Sequence, residues 1–116
     1  MLWGVLIQNN METLNFKQKV DFKQGEVYSV CLRGARRYSK GADFDLYLYS
    51  RDVETPEIGN IISQKQFRFC DLNESHCVDN YDDLAKTIDG LKDAMNNCYD
   101  DFELNEIVTI LRFVVV

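Results

Sequence analysis

The spacing of apolar residues changes along this 116-residue chain, from two-residue steps to steps of three and four. Alternation of apolar and polar residues dominates the first 70 positions and is typical of β-strands with one buried face. Between positions 80 and 98 the apolar residues recur at helical spacing instead. The pattern therefore predicts a sheet followed by one amphipathic helix.

Several segments are predicted to be strands from this alternation. The first four cover residues 2–8, 13–23, 27–33 and 43–50. The turn "KQGE", in which Gly25 can adopt positive φ, is predicted to join the second and third of them as a hairpin. A short strand is predicted at 67–70. The apolar end of "FELNEIVTILRFVVV" predicts a final strand that is covered on both faces.

The helix is predicted from about Asn80 to Cys98. Six residues follow its apolar spacing: Tyr81, Leu84, Ile88, Leu91, Met95 and Cys98. Asp79 or Asn80 is expected to cap its start, with Asp82 and Asp83 in its first turn. Gly90 then falls in mid-helix, where glycine costs about 1 kcal/mol relative to alanine.

These elements predict a single domain over residues 1–116, of the α+β class. We expect an antiparallel or mixed sheet of five to six strands, with the helix at about 80–98 packed on one face. A β-sandwich is the alternative. A hydrophobic content of 46% and a charged content of 28% are ordinary for a globular protein.

One stretch resembles a known family. Residues 16–50 contain a strand, a glycine turn, "VYSVCLRG" and then "DFDLYLY". This order is similar to the pre-peptidase C-terminal domains found beside secreted bacterial peptidases. The resemblance covers about a third of the chain and implies consecutive antiparallel strands whose leucines pack inward. It also implies an alternative function as an extracellular accessory β-module.

Charge is distributed unevenly along the chain. Residues 1–70 hold ten Lys or Arg against eight Asp or Glu, whereas residues 71–106 hold eleven acids against two lysines. The second segment therefore carries a net charge of −9 in a chain whose total is −6. Such a surface repels phosphates, so nucleic acid is not expected as the partner of this face.

Acidic residues of this segment are predicted to form the functional surface. Counting 100° per residue aligns Asp79, Asp82, Asp89 and Asp93 on the helix face opposite the apolar stripe. A charged outer face can simply be solvated, but four acids with one lysine also suit docking on a basic protein. The sequence thus favours a non-enzymatic protein-binding module, such as an inhibitor or an immunity or anti-defence-like factor. The predicted partner-binding residues are Asp79, Asp82, Asp89, Asp93, Asp100 and Asp101.

A basic loop is the secondary candidate surface. Arg36, Arg37 and Lys40 surround Tyr38 in "RGARRYSK". We interpret it as a surface loop. Stacking of a nucleic-acid strand on Tyr38 and a salt-dependent contact with a second copy's acidic helix remain alternatives.

Asp43 and Asp45 suggest an enzymatic alternative. In "SKGADFDLYLYS" they form a D-x-D pair after a glycine, a pattern with which nucleotidyl- and phosphoryl-transfer enzymes hold Mg²⁺. Ala35 stands where those enzymes have a serine, and no third acid is evident on a following strand. We therefore interpret Asp45 as the solvent side of a strand and predict no catalytic residues and no cofactor.

The cysteines and the histidine do not form a recognisable site. Cys70 and Cys77 lie seven residues apart without the C-x₂₋₄-C pairs typical of structural zinc, so no metal site with His76 or Cys98 is predicted. Free thiols are expected because the chain has a full hydrophobic inventory. The apolar start "LWGVLI" is too short for a membrane span or a signal peptide, so a cytoplasmic protein with no membrane contact is expected.

Overall fold

The computed structural model describes residues 12–38 and 45–116. Its regular elements are β1 (Glu12–Asn15), β2 (Val27–Arg33), β3 (Asp45–Tyr49), β4 (Glu57–Arg68), helix α1 (Ile88–Cys98) and β5 (Ile107–Val115). Three 3₁₀ turns lie between β4 and α1, at Phe69–Asp71, Glu74–His76 and Asp83–Ala85. The strand predicted at residues 2–8 lies outside the described residues.

The strands form one five-stranded sheet in the order β1-β3-β4-β5-β2. β1 pairs with β3 in parallel, and the other neighbours are antiparallel. The predicted α+β class and the mixed sheet are therefore confirmed, with a curled single sheet in place of the alternative sandwich.

β5 is an interior strand of the sheet, between β4 and the outer strand β2, as its apolar sequence predicts. Val108 and Ile110 face the cluster beneath α1, whereas Leu111, Phe113 and Val115 belong to the cluster between the strands. Its side chains are therefore covered on both faces, as predicted.

The predicted hairpin of residues 13–23 with 27–33 is wrong. β1 ends at Asn15 and pairs with β3, while β2 pairs with β5. Most of residues 13–23 forms a loop after β1. The apolar positions of the alternation in this loop are the side chains that pack in the core: Phe16 and Phe22 are buried, with their rings 5.1 Å apart. Gly25 does adopt positive φ, and its N–H donates to the Val115 carbonyl at 2.7 Å.

The short strand predicted at 67–70 is also wrong. β4 is the longest strand, Glu57–Arg68, and Phe69–Asp71 is a 3₁₀ turn. A register shift between Ile61 and Ser63 interrupts the pairing with β5. Such an irregularity breaks the two-residue alternation by which a strand is recognised.

The helix begins later than predicted. Thr87 is the N-cap, its side chain accepts a hydrogen bond from the Gly90 N–H at 3.1 Å, and α1 starts at Ile88. Residues 80–87 are not α-helical and contain the 3₁₀ turn at Asp83–Ala85, and Leu84, expected on the apolar face, is 83% exposed. Gly90 lies in the first turn, where an added Cβ would stand 1.9 Å from the Leu84 carbonyl oxygen. Glycine there allows the preceding segment to pack directly on the helix.

Buried side chains form two clusters. The strand cluster consists of Leu14, Phe16, Phe22, Val30, Leu46, Leu48, Leu111, Phe113 and Val115. The helix cluster consists of Phe69, Leu72, Cys77, Ala85, Leu91, Met95, Phe102, Val108 and Ile110. In the part of the chain that the structure describes, every helix is too short or too polar to cross a membrane.

Candidate site between the sheet edges and the helix

The segment that connects β4 to α1 runs along the open edge of β2. We refer to residues 73–87 as the connecting segment. The Ser29 N–H donates to the Asp79 carbonyl at 2.8 Å, and the Tyr81 N–H donates to the Ser29 carbonyl at 3.0 Å. The Arg112 guanidinium donates to Asp79 Oδ2 at 2.8 Å. These contacts fix the middle of the segment on the sheet.

Side chains of the connecting segment cap its own turns. Asn73 accepts a hydrogen bond from the Ser75 N–H at 3.0 Å, and His76 Nδ1 accepts one from the Asn73 N–H at 2.9 Å. The His76 ring also packs on Phe67, with 4.4 Å between centroids. The histidine, interpreted from the sequence as an exposed loop residue, is half-buried and has this structural role.

A pocket of about 320 Å³ lies where β1 and β2, the two outer strands of the curled sheet, approach α1. We call it the edge pocket. The chain after β1, the middle of β2, the connecting segment and α1 each contribute a wall. Its lining residues are Leu14, Asn15, Phe16, Lys17, Gln18, Val30, Cys31, Leu32, Asn80, Tyr81, Asp82, Ala85, Leu91, Ala94, Met95, Asn97, Cys98 and Tyr99.

The floor of the edge pocket is apolar. Ala85, Leu91 and Met95 are buried members of the helix cluster that reach it. Burial raises the pKa of the Cys31 thiol to about 12, with a smaller contribution from Cys77. Cys31 is therefore a neutral thiol at physiological pH and behaves as part of the apolar floor.

Aromatic rings form part of the walls. Phe16 and Tyr81 contact each other edge to face, with 4.7 Å between centroids and 67° between the planes. Burial raises the pKa of Tyr81, and the carboxylate of Asp82 and the thiol of Cys98 act in the same direction. The Tyr81 hydroxyl therefore stays protonated and can donate a hydrogen bond.

The polar lining consists mainly of amides. Asn80 is buried, whereas the other three amides, Asn15, Gln18 and Asn97, are exposed at the rim. The charged lining residues are Lys17 and Asp82, one of each sign. The pocket therefore offers uncharged hydrogen-bonding groups around an apolar floor.

A cluster around Arg33 lies next to the edge pocket, on the ring of Tyr99. Arg33 donates to both carboxylate oxygens of Glu106, at 2.7 and 2.9 Å, and to Asp101 at 3.0 Å. Its guanidinium also lies 4.9 Å from the centre of the Tyr99 ring. The hydrogen bonds from Arg33 lower the pKa of Glu106 and of Asp101, and those to Glu106 and Asp101 raise the pKa of Arg33.

The predicted acidic residues do not form one helical stripe, because α1 begins at Ile88. Asp79 and Asp82 precede the helix: the first binds Arg112, and the second accepts from the Leu84 N–H at 3.0 Å. Asp101 follows the helix and binds Arg33. The remaining three, Asp89, Asp93 and Asp100, are exposed. The prediction of one continuous acidic stripe on the helix is therefore wrong, because Asp79 and Asp82 lie before the helix. The region as a whole is still acidic.

The basic loop lies against β4 and β5. The Arg36 N–H donates to Thr109 Oγ1 at 2.8 Å, and the Tyr38 N–H donates to Gln64 Oε1 at 2.7 Å. The side chains of Arg36 and Arg37 are exposed, and Tyr38 is half-buried. Lys40 lies outside the described residues.

The enzymatic alternative depends on Asp43 and Asp45. Asp43 lies outside the described residues, and Asp45 begins β3 without a described side chain. Over residues 12–38 and 45–116, three or more His, Cys, Asp or Glu side chains do not come together in a group that could hold a metal ion. All four cysteines are free thiols, as expected.

The sequence did not indicate the edge pocket. Asn80 was interpreted as a helix cap and Tyr81 as part of an apolar helix face, whereas both belong to the irregular connecting segment. Asn97, an amide near the end of the predicted helix, was a weak signal for a polar site. The other walls of the pocket depend on how β1 and β2 are placed in the sheet. The sequence did not give this placement, because it predicted that these two segments pair with each other.

Comparison with known proteins identifies a similar fold. No family model and no curated protein sequence matches the chain. A solved structure, the ASCH domain from Lactobacillus crispatus JV V101, superposes with a TM-score of 0.67 at 12% sequence identity. The match covers 98% of this chain and 91% of that domain. The chain is thus similar in fold to an ASCH domain over nearly its whole length.

Proposed function

We propose that this protein is a binding module whose edge pocket takes up a small, planar, uncharged ring compound of the nucleobase or nucleoside class. The observation that carries the proposal is the lining of the pocket, where aromatic rings and amides surround an apolar floor. Ligand sites typically combine a mostly apolar surface with a few polar groups that orient the ligand.

Heterocyclic rings match this lining. Their faces are apolar enough to contact Tyr81 and the floor, and stacking or edge contacts with aromatic side chains favour flat molecules. Their edges alternate hydrogen-bond donors and acceptors, and an amide side chain supplies both. At about 320 Å³ the pocket is near the lower end of small-molecule sites, which suits a single nucleoside.

Charge favours a ligand without phosphates. Asp82 lines the pocket, and residues 71–106 around it carry a net charge of −9. A phosphate group would be repelled by this surface, and a polynucleotide would be repelled more strongly. The neutral Cys31 thiol is also a poor nucleophile, which supports binding over covalent catalysis.

Binding can be tested by titrating ¹⁵N-labelled protein with uridine, inosine, adenosine, uridine monophosphate and a short single-stranded RNA. We expect amide shifts from the nucleosides, concentrated at residues 80–85 and 94–99. Ala94→Phe, which fills the pocket from α1, should abolish them. Asn96→Phe is the matched control, since Asn96 is exposed on the same helix and does not line the pocket.

The same titration can contradict the proposal. It is wrong if the nucleosides produce no shifts, or if Ala94→Phe and Asn96→Phe bind them equally well. If only the RNA binds, the nucleoside proposal is also wrong, and the ligand is a nucleic-acid strand.

A second candidate function is docking on a basic protein, as an inhibitor or an immunity-like factor would do. The observation that favours it is Leu84, 83% exposed beside Asp82 and Asp83. The turn that presents it is held by the Asp82 cap and by close packing on Gly90. An apolar side chain held in a fixed position among acids suits an apolar socket with a basic rim.

Affinity capture from native lysate tests this candidate. The triple variant Asp83→Lys, Asp89→Lys, Asp93→Lys should lose a basic partner that the wild type retains at low salt, because the attractive charge is reversed. The matched control is Asp21→Lys, Glu54→Lys, Glu57→Lys, which reverses three exposed acids elsewhere. Equal capture by the two triple variants would rule this candidate out.

A further inference from the structure

We propose that Asn80 selects the ligand of the edge pocket, by donating a hydrogen bond from its side-chain amide to a carbonyl oxygen of the bound ring. This inference rests on the proposed binding function and specifies which ring compounds the pocket accepts. It follows from how the rest of Asn80 is held.

The backbone of Asn80 is fixed on both sides. Its N–H donates to the Cys77 carbonyl at 3.0 Å, and its own carbonyl accepts from Lys86 Nζ at 3.0 Å. It also forms a bridge with Ser29 on the edge of β2. The residue is 3% exposed, so its position is determined by the fold.

The side chain of Asn80 has one orientation that satisfies its neighbour. Its Oδ1 accepts a hydrogen bond from the Asp82 N–H at 2.9 Å. An N–H group requires an acceptor, so the oxygen must face Asp82 and the NH₂ group must face the other way. Because Asn80 lines the edge pocket, we infer that this NH₂ group reaches into it.

The NH₂ group has no acceptor among the described residues. The fully buried side-chain atoms without a partner in that part of the chain are Ser29 Oγ and Asp79 Oδ1, and Asn80 Nδ2 is not one of them. We therefore infer that Asn80 Nδ2 is open to the edge pocket. A donor that stays unpaired when a ligand covers it weakens binding, because it loses its hydrogen bonds to water and gains none in return. A ligand with an acceptor at this point therefore gains over one without it.

A carbonyl oxygen conjugated to a ring is an acceptor that suits a rigid donor in a pocket lined by aromatic side chains. Uracil, hypoxanthine and guanine rings carry such a group, whereas adenine carries an amino group and ring nitrogens. An amino group placed against Asn80 Nδ2 would oppose two donors, and sites built for a specific hydrogen bond reject such analogues. We expect the pocket to prefer uridine and inosine over adenosine.

The deciding variant is Asn80→Asp. Aspartate has the same shape and keeps an oxygen for the Asp82 N–H, but it replaces the NH₂ donor by an acceptor. We expect the dissociation constant of uridine, measured by calorimetry or NMR titration, to rise at least about tenfold. The discrimination between inosine and adenosine should fall at the same time.

Asn97→Asp is the matched control, because it places the same charge on an exposed rim amide of the same pocket. We expect less than about a threefold change for it. Equal effects of the two substitutions would assign the loss to charge and overturn the role of Asn80. Unchanged uridine binding in Asn80→Asp, with binding still lost in Ala94→Phe, would overturn it too while leaving the binding function intact. If the wild type binds none of these nucleosides, the proposed function itself fails.

Discussion

The strand cluster and the helix cluster share β5 but are held together in different ways. In the strand cluster, most residues belong to strands that are fixed by main-chain hydrogen bonds of the sheet. Phe22, from the loop after β1, packs on them with its ring 6.0 Å from that of Phe113. In the helix cluster, most contributions come from turns and from α1. There, side-chain caps at Asn73, Asp82 and Thr87 replace the regular ladder.

This difference separates the region expected to be most stable from the region that contains the proposed binding pocket. A strand within a sheet satisfies its main-chain groups whatever its side chains are, so apolar residues can fill the space between strands. An irregular segment must satisfy its main-chain N–H and C=O groups with polar side chains. In the connecting segment, such side chains lie beside the apolar floor of the edge pocket. The edge pocket lies at this boundary, which is where a low-stability, ligand-binding region is expected.

The largest expected effect tests the strand cluster. Phe113→Ala should lower the free energy of unfolding by about 3–5 kcal/mol, because it leaves a cavity in fully buried aromatic packing. Ile62→Ala, at a 41% exposed position of β4, should cost less than about 1 kcal/mol. Urea denaturation of the two variants measures both values. Similar losses would mean that the strand cluster is not the stable region.

A smaller effect tests how the connecting segment packs on α1. Alanine is favoured over glycine in a helix by about 1 kcal/mol. Gly90→Ala should nevertheless destabilise the protein by about 1–3 kcal/mol, because its Cβ would meet the Leu84 carbonyl at 1.9 Å. Asn96→Ala, on the exposed face of the same helix, should be neutral or slightly stabilising. Thermal unfolding compares them, and a stabilised Gly90→Ala would show that the segment is not packed on the helix.

The smallest effect concerns acid stability at the end of the helix cluster. Arg33 lowers the pKa of Glu106 below its ordinary value of 4.5, so the folded state favours the ionised carboxylate. This contribution is present above pH 4.5 and is lost as the pH falls from there through the folded pKa. Glu106→Gln should be less stable at neutral pH and should show a flatter loss of stability in acid.

Denaturation midpoints between pH 7 and about pH 3 measure this change. Glu57→Gln, an exposed carboxylate at the start of β4, provides the control and should keep the wild-type profile. If Glu106→Gln retains the steep loss in acid, the Arg33 cluster does not contribute to the pH dependence.

The sequence predicted some element bounds and buried positions correctly and others not. The alternation in 27–33 predicted β2 with its observed bounds. Leu46 and Leu48, two of the leucines that the resemblance over 16–50 implies to pack inward, are buried. The helix pattern located the end of α1 at Cys98 but not its start. Leu84 fits the three- and four-residue spacing, yet the cap at Thr87 and the turn at Asp83–Ala85 exclude it from the helix.

The sequence by itself determined which segments bury apolar side chains, because the periods of strands and helices are local properties of the backbone. It also determined the acidic character of residues 71–106. Only the tertiary structure decided that β1 pairs with β3 and β2 with β5, since pairing depends on the closure of long loops around a common core. The edge pocket and the position of Asn80 beside Ser29 depend on the tertiary structure as well, because both need strands and a helix that are distant in sequence to meet.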